Sequence, residues 1–172
     1  MMMRMLNKGG MELLTDQVRK PDRDNPCGYY EYEPVKRTIA YPSWIADARG
    51  KAVKVIYRFV QDLPNSFEYR VILMHRKIEE VIASQKKMLK RRGQEGAGIP
   101  DEILARAFRE KMEALGKWID QQSNITRLDT PYNEILTDPL PFCRRLDTFL
   151  GNRLDVLQMA QVIDTGLYRN RL

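Results

Sequence analysis

Cysteine is scarce in this chain: of 172 residues only Cys27 and Cys143 carry a thiol, far apart and in no metal-binding spacing. Two cysteines so placed make no disulfide framework, and a reducing cytoplasm is the expected compartment. Histidine is scarcer still, with His75 alone, and no cluster of histidine, cysteine and acids suggests a metal. No apolar run reaches the roughly 20 residues that a bilayer-crossing helix needs. The start, Met1-Met-Met-Arg-Met-Leu-Asn-Lys8, lacks the long apolar core and cleavage pattern of a signal peptide. Acidic charge is outweighed too: 29 lysines and arginines stand against 23 acids, a net charge of +6. That excess favours an anionic partner, whether a nucleotide, a nucleic acid or an acidic surface.

What is present reads as one ordinary globular domain over residues 1–172, with 43% hydrophobic and 30% charged residues and no internal repeat. Residues 1 to about 10 predict a helix with Met2, Met5 and Leu6 as its apolar stripe and Gly9-Gly10 as its end. Residues 15–50 are weakly periodic and rich in turn formers, the kind of long connection that carries function. Lys54-Val-Ile-Tyr-Arg-Phe-Val60 predicts a strand by its β-branched and aromatic content, with a break at Leu63-Pro64. Val71-Ile-Leu-Met74 is a continuous apolar run suited to a strand covered on both faces. A helix follows from Glu79, with acids in its first turn, Lys90, Arg91 and Arg92 in its last, and Gly93 as the stop. A second long helix starts near Pro100, with Leu104, Ala107, Phe108, Leu115, Trp118 and Ile119 at helical spacing. Ile125–Thr130 predicts a short strand, followed by Tyr132, a turn at Asp138-Pro139, and helices over 142–150 and 156–163. Strands alternating with helices imply a parallel sheet with helices packed on it.

The candidate chemistry lies where the apolar strand ends in His75-Arg76 and the next helix carries Ser84. Ligands of open α/β sheets bind beyond the carboxyl ends of the strands, and arginine's planar fork matches phosphate oxygens. The basic run Lys86, Lys87, Lys90, Arg91 and Arg92 reads more simply as a solvated face at the favourable end of its helix.

Arg76 with Ser84 eight residues later resembles the 3′-phosphate pair of the P-loop sulfotransferases, which transfer a sulfuryl group from 3′-phosphoadenosine 5′-phosphosulfate (PAPS) to a hydroxyl or amine acceptor. Tyr132-Asn-Glu-Ile-Leu-Thr-Asp-Pro139, followed by Phe149-Leu150-Gly151, is similar to that family's tyrosine-to-proline segment and its closing helix. Gly28-Tyr-Tyr-Glu31 and the basic tail Tyr168-Arg169-Asn170-Arg171 resemble segments of bacterial-type members. The resemblance covers nearly all of the chain. It implies a P-loop NTPase-like α/β fold and PAPS as co-substrate, with Arg76, Ser84, Tyr132, Arg169 and Arg171 holding the nucleotide and Tyr132 near the adenine. Glu31 or Glu33 is implied as the catalytic base, since glutamate-using relatives place theirs in this segment. Lys54 is implied beside the sulfuryl group, although its spacing is off by one. Each of the three is alternatively a solvated side chain. His75 lies on a different strand from the family's histidine and does not take its role by position.

The family's Pro-Lys/Arg-Ser-Gly-Thr phosphosulfate loop, expected immediately before the first helix, is not in this chain, and neither is the strand before it. Such a loop supplies backbone N–H groups and a basic side chain to the developing charge. The expectation is therefore an N-terminally truncated domain, or a start misplaced among Met1, Met2 and Met3. The alternatives are an inactive nucleotide-binding or interaction module of the same fold and, less favoured, a basic nucleic-acid binder, for which no recognition motif or stacking pattern stands in the sequence. The acceptor is unspecified: Tyr29, Tyr30, Tyr32, Tyr41 and Trp44 are candidates to line its pocket or to pack a long loop.

Overall fold

In a computed structural model of the chain, residues 1–16, 18–23, 25–91, 93–94 and 98–163 are described. They form two compact units, one of Met1–Glu68 with Pro139–Ile163 and the other of Tyr69–Asp138.

The first unit is helical. Helix α1 spans Met2–Lys8 and buries Met2, Met5 and Leu6, the stripe that its spacing predicts. It ends because Gly10 takes a left-handed φ of 96°, which lets the N–H groups of Gly10 and Met11 return to the Asn7 and Leu6 carbonyls. A short 3-10 helix at Glu33–Arg37 and α2 at Trp44–Asp47 break up the long weakly periodic stretch. The predicted strand over 54–60 is not formed. Ala52 makes an isolated parallel bridge to Leu13, and Tyr57–Asp62 then coils into a 3-10 helix. Among the described residues no strand runs beside 54–60, and β-branched and aromatic residues favour strands only where a neighbouring ladder and a half-buried surface exist. Here the backbone closes local bonds instead, Phe59 N–H to Ile56 O at 2.8 Å among them.

The second unit is α/β. Strand β1, Tyr69–His75, pairs in parallel with β2, Ile125–Pro131, with Tyr69 opposite Ile125 and His75 opposite Pro131. Helix α3, Ile78–Arg91, and helix α4, Asp101–Asp120, flank this sheet. Ile78 and Ile82 of α3 pack with Ala105 of α4, joined by Val81 and Phe108. In α4 the buried stripe is Ala105, Leu115, Gly116 and Ile119, whereas Leu104 and Ala107, expected on it, are exposed. Of the run expected to be covered on both faces, Leu73 is buried while Val71, Ile72 and Met74 are half-buried. Gly93 ends α3 as predicted, at a φ of 64°: the Gly93 and Gln94 N–H groups bond the Lys90 and Leu89 carbonyls. A helix not foreseen, α5 at Tyr132–Thr137, begins directly after β2.

The first unit also contains α6, Pro139–Leu150, and α7, Val156–Ala160; α7 packs against both α1 and α6. The last helix is shorter than predicted. Asp155 caps it, its carboxylate accepting the Gln158 N–H at 2.9 Å, and its own N–H reaches the Gly9 carbonyl at 3.0 Å. Among the described residues no helix is long and apolar enough to cross a membrane.

Candidate functional site

Because β1 and β2 are parallel and in register, the residues that follow each strand emerge side by side. After β1 come Arg76 and then α3; after β2 come Tyr132 and Asn133. Their meeting point is Glu80, in the first turn of α3 and fully buried. Arg76 Nε donates to Glu80 Oε2 at 2.9 Å, and Asn133 Nδ2 donates to Glu80 Oε1 at 3.2 Å. Both carboxylate oxygens are thereby satisfied, as a buried acid requires. The Arg76 guanidinium lies 5.1 Å from the Tyr132 ring centroid, within cation–π range. Burial pushes the Tyr132 phenol above its ordinary value and Glu80 adds to that, while Arg76 opposes it.

Two of the predicted nucleotide-holding residues, Arg76 and Tyr132, are thus brought together. Ser84 is half-buried on α3, four residues and so one turn beyond Glu80 on the same helix face. Arg169 and Arg171 lie outside the described residues. Beside Arg76, a cavity of about 300 Å³ is lined by His75, Lys77, Phe108 and Arg109. His75 Nε2 sits 2.6 Å from Asp129 Oδ1, and Asp129 also receives Arg127 Nε at 3.5 Å.

This arrangement offers an arginine and an aromatic face at the carboxyl edge of a parallel pair. Arg76 is not idle, however. An anion arriving at the guanidinium meets Glu80 as a competitor of like charge, which weakens binding relative to an unopposed arginine.

Within the first unit a second polar cluster forms around Glu31, most of whose side chain is buried. Arg19 Nη1 bonds its Oε1 at 3.1 Å, and Lys54 Nζ lies 3.7 Å from the same oxygen. Lys54 also donates to the Tyr29 carbonyl at 3.0 Å, and the Arg19 guanidinium stacks 3.3 Å from the Tyr29 ring centroid. The left-handed φ values of Gly28, 87°, and Tyr30, 54°, bend the chain on either side of Tyr29, a conformation that glycine adopts freely and tyrosine only under constraint. Burial draws the Lys54 ammonium below its ordinary pKa, with Arg19 adding to the effect and Glu31 opposing it. Two of the candidate residues, Glu31 and Lys54, are thus neighbours. Glu33 does not join them: its carboxylate pairs with Lys36, and its backbone N–H donates to Asp16.

Sequence reasoning missed Glu80, Asn133 and Arg19. Glu80 had a signal, since it stands four residues after Arg76 at the spacing of a helical ion pair. Asn133 and Arg19 had none, because their partners are distant in sequence. Among the described residues no group of histidines, cysteines and acids is arranged to hold a metal ion. In comparisons with protein-family models, curated proteins and solved structures, the chain matches none.

Proposed function

We propose that this chain binds the 3′-phosphate end of a PAPS-type nucleotide and belongs to a sulfuryl-transfer system of P-loop NTPase-like fold. The observation that carries the proposal is the stack of Arg76 on Tyr132 beyond the carboxyl ends of β1 and β2. Arginine there supplies charge for a phosphate, and the aromatic ring supplies a face near which an adenine can pack. Ser84, a turn beyond Glu80, adds a hydroxyl on the same helix. In such a transfer the acceptor oxygen attacks sulfur in line, a base takes its proton and cations stabilise the departing bridging oxygen. The hydroxyl or amine acceptor is unspecified.

Calorimetry with 3′,5′-adenosine bisphosphate tests the nucleotide step. The expected result is saturable binding that weakens about 10- to 100-fold in Arg76→Ala, the range set by a charge-assisted hydrogen bond of about 1.5–3 kcal/mol. In Glu80→Gln, where the competing charge is gone and the amide still bonds its neighbours, binding tightens. Affinity unchanged in Arg76→Ala, or no binding at millimolar ligand, rejects the proposal. Incubation with PAPS and a panel of hydroxyl and amine acceptors then separates two outcomes: turnover assigns an enzyme, and binding without turnover assigns an inactive nucleotide-binding module.

A further inference from the structure

The first unit contains an aromatic cleft that the nucleotide site does not involve. It has a volume of about 440 Å³ and is lined by Tyr32, Tyr41 and Trp44 together with Glu33, Arg37 and Asp47, a size suited to a small ligand. One wall is rigid. The Tyr32 and Trp44 rings meet edge to face, with centroids 5.8 Å apart and planes at 68°. The buried indole N–H donates to Thr38 Oγ1 at 3.2 Å, and that hydroxyl in turn donates to the Val35 carbonyl at 2.8 Å. Against this fixed wall, Tyr41 leaves 64% of its surface in water, a large ring whose apolar face is not packed away.

The charges around the cleft decide what it can take. Glu33 is neutralised by Lys36, which leaves Arg37 and Asp47, one of each sign, without an ion-pair or hydrogen-bond partner for their side chains among the described residues. A simple anion drawn to Arg37 meets Asp47 as well, and a simple cation drawn to Asp47 meets Arg37, so neither gains net attraction. A neutral ring bearing both donors and acceptors suffers no such opposition. Its hydroxyls donate to Asp47 and accept from Arg37, while its C–H face covers an aromatic ring. We infer that this cleft binds the ring of a neutral saccharide. The inference does not use the residues placed at the nucleotide, Arg76, Ser84 and Tyr132.

The chain's two tryptophans, Trp44 and Trp118, give a direct readout. Trp118→Phe leaves Trp44, in the cleft wall, as the sole indole. Cellobiose, lactose and N,N′-diacetylchitobiose are titrated against its fluorescence, with choline and inorganic phosphate as contrasting charged probes. The expected result is a saturable change with at least one disaccharide, weakened about tenfold or more by Tyr41→Ala and by Asp47→Asn, with 3′,5′-adenosine bisphosphate behaving as in the unsubstituted chain. Both side chains are exposed, so neither substitution removes core packing; unaltered circular dichroism and melting check this. No saturable change up to about 50 mM of any sugar, tighter binding of choline or phosphate, or affinity unmoved by both substitutions overturns the inference.

Discussion

Lys54 shows how one side chain links burial to pH. Its folded-state pKa lies below the ordinary 10.5, chiefly because burial disfavours the ammonium. The unfolded chain therefore binds more protons in the interval between the lowered value and 10.5, and stability rises with pH through that interval. Below the lowered value the cost of burying the charge is fully present. Melting curves from neutral to about pH 10 are expected to show an alkaline gain that Lys54→Met abolishes; an equal gain in both proteins contradicts the assignment. At the same scale, the pair Arg76 and Tyr132 was legible in the sequence, because a strand-end arginine and a tyrosine after the next strand are local patterns. Glu31 was legible as a candidate, but its partner Arg19 was not, since their 12-residue separation is closed by a loop whose course depends on the turns at Gly28 and Tyr30.

Among the elements, those with strong periodicity or clear ends were legible: α1, α3 and α4 follow from apolar spacing, α3 and α4 also from acidic first turns, and α1 and α3 from the glycines that stop them. The failures share one cause, namely dependence on a neighbour. Residues 54–60 have a strand's composition without a strand beside them, and in α4 Leu104 and Ala107 face water because α3 and β2 cover a stripe rotated from theirs. Packing between α1 and α7 turns on a glycine. Gly9 has an ordinary right-handed φ of −73°, so alanine is conformationally acceptable there, yet its Cβ would stand 2.7 Å from Met159 Cγ and 3.3 Å from Leu154 Cβ. Met159 is fully buried and has little room to retreat. Gly9→Ala is expected to cost about 1–3 kcal/mol through overpacking, a loss that urea denaturation reads as a lowered midpoint; an unchanged or raised midpoint refutes this account of the helix contact.

For the whole molecule, the two thiols provide a count of foldedness. Cys143 is fully buried and its thiol is pushed up to about 11 by burial, whereas Cys27 is partly accessible and accepts a hydrogen bond from Arg4 Nη1 at 3.1 Å. Iodoacetamide near neutral pH is expected to modify Cys27 alone in the native protein and both thiols in urea, since the thiolate is the reacting form; mass spectrometry that finds Cys143 modified at the native rate of Cys27 excludes this burial. The two units also differ in how the chain composes them. Among the described residues the α/β unit is the continuous stretch Tyr69–Asp138, while the helical unit needs both Met1–Glu68 and Pro139–Ile163. During synthesis the usual order, with the earlier segment finished first, is therefore inverted. The described residues of β1, β2, α3, α4 and α5 have all left the ribosome before α7 exists to meet α1, so these elements can assemble first while α1 waits for the chain to return.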